Sequence, residues 1–234
     1  MNSNNKLHKD HRDRMREKYD RCGHEAFDRH QLYEMLLYYS IPRSDTNPAA
    51  HSLCDFASPP DSMFRMTVKE LARTNGVGPS SARLIKLSAD TVRRTVLDSL
   101  LSAPLDTDSR RMLTVYTWYQ GKAAGTVAAF YLDRSYKLIT VSVLSSGRTA
   151  RPESYTEKIA GDIVETNAKY MILTHNHAGG VREPSVEDIY LTELVNRKAA
   201  SLGCCLLTHY IATDTDCVIC PVQGAPDFSA EKKQ

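Results

Sequence analysis

The sequence has no long hydrophobic run and no large excess of charge of either sign. None of its apolar stretches approaches the roughly 18 residues that a membrane-spanning helix needs. The opening segment, Met1 to Lys6, lacks the apolar core of a signal peptide. The formal net charge of the 234 residues is only +2. We therefore expect a cytoplasmic protein without membrane contact, with enough chain for two small domains.

Six cysteines are present, and a cytoplasmic chain keeps them reduced. Cys217 and Cys220 have zinc-ribbon spacing, and Cys204 with Cys205 would complete a set of four ligands. However, both segments have the pattern of strands, and alternation along a strand places Cys204 and Cys205 on opposite faces. Buried cysteines are the favoured interpretation, and the zinc ribbon is the alternative.

Residues 1–100 are predicted to form a helical domain. The stretch 6–21 holds seven Lys or Arg against four Asp or Glu, which is typical of a solvated helix or arm and leaves a nucleic-acid contact as the alternative. Further on, Gly76-Val77-Gly78 resembles the turn of a helix-hairpin-helix, in which backbone N–H groups at a helix N-terminus bind a phosphate. We therefore consider weak, sequence-independent DNA binding by Gly76, Gly78, Lys69 and Arg83, with Arg73 and Lys86 nearby.

The alternative for this turn is structural, because the two glycines could simply allow a compact connection between packed helices. The low charge of the domain favours this structural interpretation. Residues 1–100 hold sixteen Lys or Arg and thirteen Asp or Glu, a net charge of +3, which is far below that of a strongly basic nucleic-acid domain.

The second half of the chain alternates strand and helix patterns. After a linker at 99–104, we predict helices at 106–120, 155–166 and 185–202, and strands at 126–132, 138–144, 170–175, 204–212 and 217–220. Strands interleaved with helices favour an α/β sandwich over residues 106–222. A polar, loose tail follows at 223–234.

The most informative motif is Thr174-His175-Asn176-His177, which follows the apolar run 170–173. Two histidines separated by one residue on an extended chain point to the same side. Gly179 and Gly180 allow the chain to turn back, so that Ser185 can cap a helix with Asp188 in its first turn. Two imidazoles and one carboxylate leave a fourth position open for water, as hydrolytic zinc sites require. Ordinary surface histidines and a capping aspartate are the alternative.

The spacing His-x-His, seven residues, Ser, two residues, Asp resembles the JAMM (MPN) metalloprotease motif, and its surroundings are similar to the RadC family. The matching positions in the motif are His175, Asn176, His177, Gly180, Pro184, Ser185 and Asp188, with Asn167, Ala168 and Thr192 around it. The resemblance covers roughly residues 8–221, since segments 27–30, 36–39 and 41–48 are similar to the domain that precedes the catalytic one in longer RadC proteins.

This resemblance implies an MPN/JAMM-type fold after a helix-hairpin-helix-like domain, zinc as the cofactor, and a peptide or isopeptide substrate. It also implies His175, His177 and Asp188 as metal ligands and Ser185 as the hydroxyl that stabilises an oxyanion. His209, on a late strand, becomes a candidate for the shell of residues behind the ligands. Asn176 is expected to satisfy local backbone groups.

The chain departs from the family pattern at the general base. RadC-like chains carry a glutamate before the strand that ends in Leu-Asp, and Gly125 occupies that position, with no Asp or Glu from Lys122 to Leu132. The loop also has Ala178-Gly179 in place of Pro-Ser, and Thr208-His209 stands where Asp-His is usual. A general base contributes roughly 10² to 10⁴-fold in rate.

We therefore expect a zinc-binding protein with impaired hydrolysis, unless another carboxylate such as Glu153, Glu157 or Glu165 replaces the missing one. The alternatives are an inactive, DNA-associated or partner-binding module that retains zinc, and a structural protein without metal.

Overall fold

The structure is a computed structural model, and it describes residues 3–58, 62–63, 65–147, 152–177 and 183–222. The departures at Ala178 and Gly179, the turn at Gly180 and the tail predicted at 223–234 lie outside these ranges. The chain divides into two compact units, residues 1–94 and 95–234.

The N-terminal unit is helical, as the sequence pattern indicated. Its elements are α1 (Ser3–Cys22), a 3-10 turn (His24–Ala26), α2 (Arg29–Leu37), α3 (Asn47–Phe56), α4 (Val68–Leu71) and the beginning of α5 (Pro79–Ser102). Leu37, Leu53, Leu71 and Ile85 are completely or almost completely buried and form the centre of its core. Helix spacing brought these apolar side chains to one side of each helix.

A buried carboxylate in this unit holds three segments together. Glu34 on α2 is 2% exposed and accepts hydrogen bonds from the hydroxyl of Tyr38 at 3.0 Å and from Nδ2 of Asn47 at 3.1 Å. Its other contact is Nε2 of His11 on α1, also at 3.1 Å. A buried carboxylate is tolerated because it is paired in this way.

The second unit is an α/β sandwich built on one five-stranded sheet. After the end of α5, its elements are α6 (Asp108–Tyr119), β1 (Val127–Leu132), β2 (Leu138–Ser145), α7 (Pro152–Thr166), β3 (Tyr170–Asn176), α8 (Val186–Ser201), β4 (Cys205–Ala212) and β5 (Cys217–Cys220). The strand order is β2-β1-β3-β4-β5, and only the β3–β4 pair is parallel. The predicted fold class is confirmed.

Both faces of the three central strands, β1, β3 and β4, are buried, whereas the edge strand β2 is half-buried or exposed. Met171 and Leu173 of β3 pack with α7 and α8, whereas Ile172 between them packs on the opposite face with α6. This alternation follows from the two-residue period of a strand. It also means that His175, two residues beyond Leu173, faces the α8 side.

The linker predicted at 99–104 is wrong over most of its length, because α5 continues through Ser102. Leu97 and Leu101 lie one helical turn apart, and both pack against the buried cluster that α6 contributes to. Apolar contact on one side of the chain therefore keeps this segment helical where its composition indicated a loop.

No helix in the described part of the chain combines the length and the apolar character that crossing a bilayer would require.

Candidate metal centre

Two neighbouring chain segments bring the motif residues together at one edge of the sheet. His175 is the penultimate residue of β3, and His177 directly follows the strand. Asp188 lies in the first turn of α8. Because α8 is the crossover from β3 to the parallel strand β4, its N-terminus returns to the edge where β3 ends. Within the described ranges, these three residues are the only group of three or more potential metal ligands.

The ligand atoms form a small triangle. Nε2 of His175 lies 2.8 Å from Nε2 of His177 and 3.0 Å from Oδ1 of Asp188, and Nε2 of His177 lies 3.2 Å from Oδ2 of Asp188. Ligands about 2.0 Å from a tetrahedral zinc ion stand about 3.3 Å from one another. The triangle therefore fits zinc after a widening of a few tenths of an ångström.

The chemistry of the three groups also fits a cation. Lone pairs on two imidazoles and a carboxylate repel one another at these distances unless protons or a metal ion lie between them. Imidazole and carboxylate ligands suit zinc. The side chain of His175 is 9% exposed and that of His177 is 20% exposed. The site is thus buried on one side and reachable from the other.

Ser185 holds Asp188 in place through a capping box. The hydroxyl of Ser185 accepts a hydrogen bond from the backbone N–H of Asp188 at 3.1 Å, and Oδ2 of Asp188 accepts one from the backbone N–H of Ser185 at 2.8 Å. The same hydroxyl donates to Oδ2 at 2.7 Å. Ser185 is therefore the N-cap of α8, as expected, and it also orients the carboxylate.

The pKa of Asp188 lies well below its usual range. Burial alone would raise this pKa, but the close contact with the ring of His175 and the hydrogen bonds from the backbone and hydroxyl of Ser185 lower it further than burial raises it. The carboxylate is therefore ionised at neutral pH and available to a cation.

A second layer of residues stands behind His175. Its Nδ1 lies 2.8 Å from Nε2 of the fully buried His209, and Nδ1 of His209 lies 2.6 Å from the hydroxyl oxygen of Thr192. The pKa of His209 is well below its ordinary value, mainly because burial disfavours the charged ring and also because His175 and His177 are close. His209 thus lies behind the predicted ligands, as the sequence suggested.

The position of His209 depends on an irregularity in β4. Met171 pairs with Leu206 but the next residue, Ile172, pairs with Thr208, so β4 contains one extra residue at this point. The extra residue reverses the alternation of side chains beyond it. His209 consequently faces α8 and His175, on the same side as Leu206.

Asn176 anchors the segment before β1, as expected of a residue that serves the backbone. Its Oδ1 accepts a hydrogen bond from the N–H of Thr126 at 2.8 Å, and its Nδ2 donates to the carbonyl of Ala123 at 3.0 Å. The N–H of Gly125 donates to the carbonyl of Asn176 at 3.2 Å. Gly125, the position of the absent glutamate, is therefore hydrogen-bonded to the residue between the two histidines.

The backbone of Gly125 is in the left-handed region, with φ of +71°. A Cβ atom at this position would meet nothing closer than Cα of Gly147, at 4.0 Å. Space for a side chain exists, but the backbone conformation disfavours any residue other than glycine.

The three alternative carboxylates all lie on α7, with Glu153 in its first turn and Glu165 in its last. Glu165 precedes the short connection from α7 to the start of β3, whereas His175 stands near the end of that strand. Five residues of strand span about 17 Å. Glu165 is therefore remote from the ligands, and Glu153, in the first turn of α7, is the more suitable of the three to test.

The cysteines do not form a zinc ribbon. Cys204 packs on the α7–α8 side of the sheet and Cys205 on the α6 side, as strand alternation predicted. Cys217 approaches the carbonyl of Met112 on α6, whereas Cys220 contacts Thr192 on α8. The two residues of the Cys-x-x-Cys pair thus face opposite sides of the sheet.

The residues considered for DNA binding surround the turn between α4 and α5. Lys69, Gly76, Gly78 and Arg83 are all exposed. Gly76 has φ of +77°, and a Cβ atom on it would lie 2.8 Å from Cβ of Ala49. Close packing against α3 therefore explains this glycine fully, whereas a Cβ at Gly78 would meet nothing within 4 Å.

Comparison with known proteins finds relatives of this sequence. The sequence model of the RadC-like JAB domain matches residues 107–222. Similar proteins include a UPF0758 protein from Fusobacterium nucleatum, 29% identical over 211 residues (87% of this chain and 91% of the relative), and one from Ruegeria pomeroyi, 29% identical over 204 residues (87% and 91%). A UPF0758 protein from Rhodobacter capsulatus is 25% identical over 198 residues (84% and 92%).

Proposed function

Because residues 107–222 belong to the RadC-like JAB domain family, we propose that this chain is a JAMM-type zinc-binding protein. Its site has the arrangement of a peptide or isopeptide hydrolase, with catalysis weakened by glycine at position 125. The observation that carries the proposal is the convergence of His175, His177 and Asp188 on one point. The six unpaired cysteines suit the reducing cytoplasm in which we place the protein.

His175, His177 and Asp188 would hold the ion through Nε2, Nε2 and one carboxylate oxygen. Zinc bound there would act as a Lewis acid and lower the pKa of water toward neutrality. Ionised Asp188 contributes the negative charge that such an ion requires, and Ser185 fixes the direction of this carboxylate.

Ser185 is also the candidate for stabilising an oxyanion. Its hydroxyl proton is donated to Oδ2 of Asp188. The hydroxyl must therefore turn from Asp188 toward a substrate carbonyl before it can serve as the donor. The two acceptors of this proton would therefore alternate, whereas the oxygen of Ser185 can keep accepting from the backbone N–H of Asp188 and so continue to cap α8.

Gly125 limits the proton transfer that hydrolysis needs. A glutamate there would stand beside the residue that links the two histidines, because Gly125 is hydrogen-bonded to Asn176. Without such a group, no carboxylate in the segment 121–132 can accept a proton from attacking water. We therefore propose slow hydrolysis or none in the unmodified protein.

The first experiment is elemental analysis of protein purified without added zinc. We expect about one equivalent of zinc in the wild type and loss of the metal in His177→Ala and Asp188→Ala. His51→Ala, a histidine variant in the other unit, is the matched control and should keep its zinc. Wild-type protein with almost no metal, even after incubation with zinc, would overturn the proposal.

The second experiment measures zinc-dependent cleavage of peptide and isopeptide substrates by the wild type and by Gly125→Glu. A correctly placed glutamate should raise the rate by roughly 10² to 10⁴-fold, and Gly125→Ala controls for the strain at this position. Fast hydrolysis by the wild type that His175→Ala abolishes would show that another carboxylate serves as the base, and Glu153→Gln would test the first candidate.

A second candidate function is a DNA-associated module that keeps zinc for stability. The observation that favours it is the exposure of Lys69, Arg73 and Arg83 around the turn at Gly76 and Gly78. Binding of the full chain to a fluorescent DNA duplex should weaken steeply with salt, because phosphate contacts release counterions.

In a double variant, Lys69→Gln with Arg83→Gln, the decrease of log K with log salt should then be less steep. The magnitude of the slope should fall by about 2, since each phosphate contact contributes about 0.9. Lys137→Gln in the C-terminal unit is the control. Absence of salt-dependent binding at low ionic strength would leave protein contact as the role of this unit.

A further inference from the structure

The hydroxyl of Thr192 has one proton and three polar neighbours. Its Oγ1 lies 2.6 Å from the carbonyl oxygen of Asp188, 2.6 Å from Nδ1 of His209 and 3.3 Å from Sγ of Cys220. A carbonyl oxygen can only accept, and two oxygens this close need a proton between them. The proton of Thr192 is therefore directed to the carbonyl of Asp188.

This direction determines which nitrogen of His209 carries a proton. Since the hydroxyl of Thr192 has no second proton, the 2.6 Å contact requires Nδ1 of His209 to be the donor. His209 has no exposed surface, and its two ring nitrogens contact the hydroxyl of Thr192 and the ring of His175 rather than a carboxylate. A buried ring without an anionic partner is neutral, so it has only this one N–H. Its Nε2 must then accept.

Because Nε2 of His209 accepts a hydrogen bond, it also determines which nitrogen of His175 carries a proton. These rings meet through Nδ1 of His175 and Nε2 of His209 at 2.8 Å. Nδ1 of His175 is therefore the donor. The other nitrogen of His175, Nε2, is the atom directed at His177 and Asp188.

We propose that Thr192 and His209 form a hydrogen-bonded relay that keeps the proton of His175 on Nδ1 and thereby reserves its Nε2 for a metal ion. The inference rests on the proposed metal site, and it adds two positioning residues to it. With the opposite direction of hydrogen bonds, His209 would donate to His175, and the proton of a neutral His175 would lie on the nitrogen that must bind the metal. The relay starts from the backbone of Asp188, so one ligand residue controls the tautomer of another.

The relay also explains two features of the fold. The extra residue in β4 turns His209 toward α8, where it reaches both Thr192 and His175. Thr192 lies one helical turn after Asp188 and is 1% exposed, so its hydroxyl meets the carbonyl of Asp188 inside the protein. Partners of this kind typically contribute 10- to 100-fold to metal affinity.

The test uses zinc affinity measured by competition with a chromophoric chelator. Thr192→Val keeps the shape but removes the hydroxyl, and we expect zinc to dissociate with a Kd about 10 to 100-fold higher. Thr192→Ser restores the hydroxyl and should bind zinc like the wild type. Cys220→Ala removes a neighbour of Thr192 that is outside the relay, so it should also leave the Kd unchanged.

The state of His175 is measured separately, in metal-free protein, by long-range ¹H–¹⁵N correlation of the imidazole nitrogens at pH 8. Nδ1 of His175 and Nδ1 of His209 should carry protons in the wild type, and Thr192→Val should give a mixture of tautomers. An unprotonated Nδ1 on His175 in the wild type would overturn the relay, even if Thr192→Val does not fold. Equal zinc affinity in folded Thr192→Val and Thr192→Ser would overturn it as well.

These two measurements separate the relay from the proposed function. If wild-type protein binds no zinc but His175 carries its proton on Nδ1 until Thr192 loses its hydroxyl, the relay holds the tautomer and the metal proposal fails. If zinc binds with the same affinity in all variants, the metal proposal holds and the relay fails.

Discussion

Acidification should destabilise the C-terminal unit through His209. This ring is fully buried, and its pKa in the folded protein is well below 6.5. Between the two pKa values, the unfolded chain binds a proton that the folded chain does not. The contribution of His209 to stability is therefore complete above about pH 6.5 and falls as the pH decreases toward the lower, folded-state pKa.

The size of the effect follows from linkage. Each pH unit below the unfolded pKa lowers the free energy of unfolding by about 1.4 kcal/mol while the folded ring stays neutral. As long as the folded ring stays neutral, His209 should therefore account for a loss of about 2 kcal/mol between pH 7.5 and pH 5.0.

Urea denaturation of the metal-free protein can measure this loss. Trp118, the only tryptophan of the chain, packs edge-on against Phe130 in the C-terminal unit, so its fluorescence reports the unfolding of that unit. His209→Gln cannot gain a proton, and its stability should change by about 2 kcal/mol less than that of the wild type over the same pH range. The same pH dependence in both proteins would refute the reasoning, because other groups would then account for all of it.

Three further changes test the structure. Ser185→Ala should lower the free energy of unfolding of the C-terminal unit by about 1 kcal/mol, since it removes a helix cap, whereas Ser185→Thr should nearly preserve it. Equal denaturation midpoints for the two variants would contradict the capping role. Gly125→Ala should destabilise the same unit by roughly 1 kcal/mol because of its positive φ, and a neutral or stabilising result in thermal melts would contradict that conformation. Glu34→Gln should destabilise the N-terminal unit by about 1 to 3 kcal/mol, because an amide N–H₂ would face the donors on Tyr38 and Asn47. Circular dichroism melts unchanged from the wild type would show that these contacts do not stabilise the unit.

The sequence was sufficient for most of the elements and for the convergence of the motif. Apolar alternation over Tyr170 to Leu173 identified β3, and spacing alone placed His175 and His177 on one side. Ser185 and Asp188 have the local pattern of a capping box, which depends on residues only three apart. Local patterns of this kind are determined by backbone geometry, so they can be recognised before the fold is known.

The end of α5 shows where composition misled. Serines and a proline in 99–104 indicated a linker, but Leu97 and Leu101 pack on the core and the helix persists to Ser102. Contacts with residues distant in the sequence outweigh weak local preferences. The same reason explains Gly76, whose lack of a side chain is required by Ala49 on another helix.

The sequence by itself determined that a His-x-His pair and an aspartate would meet, and that glycine would stand where a glutamate is usual. Only the tertiary structure decided what lies behind them. Strict alternation from Leu206 would place His209 on the α6 side, and the extra residue in β4 brings it to the other face. There it meets Thr192 and His175, which are 17 and 34 positions away in the chain. Such contacts depend on strand register and on the packing of α8, and neither can be read from the spacing of residues along a single segment.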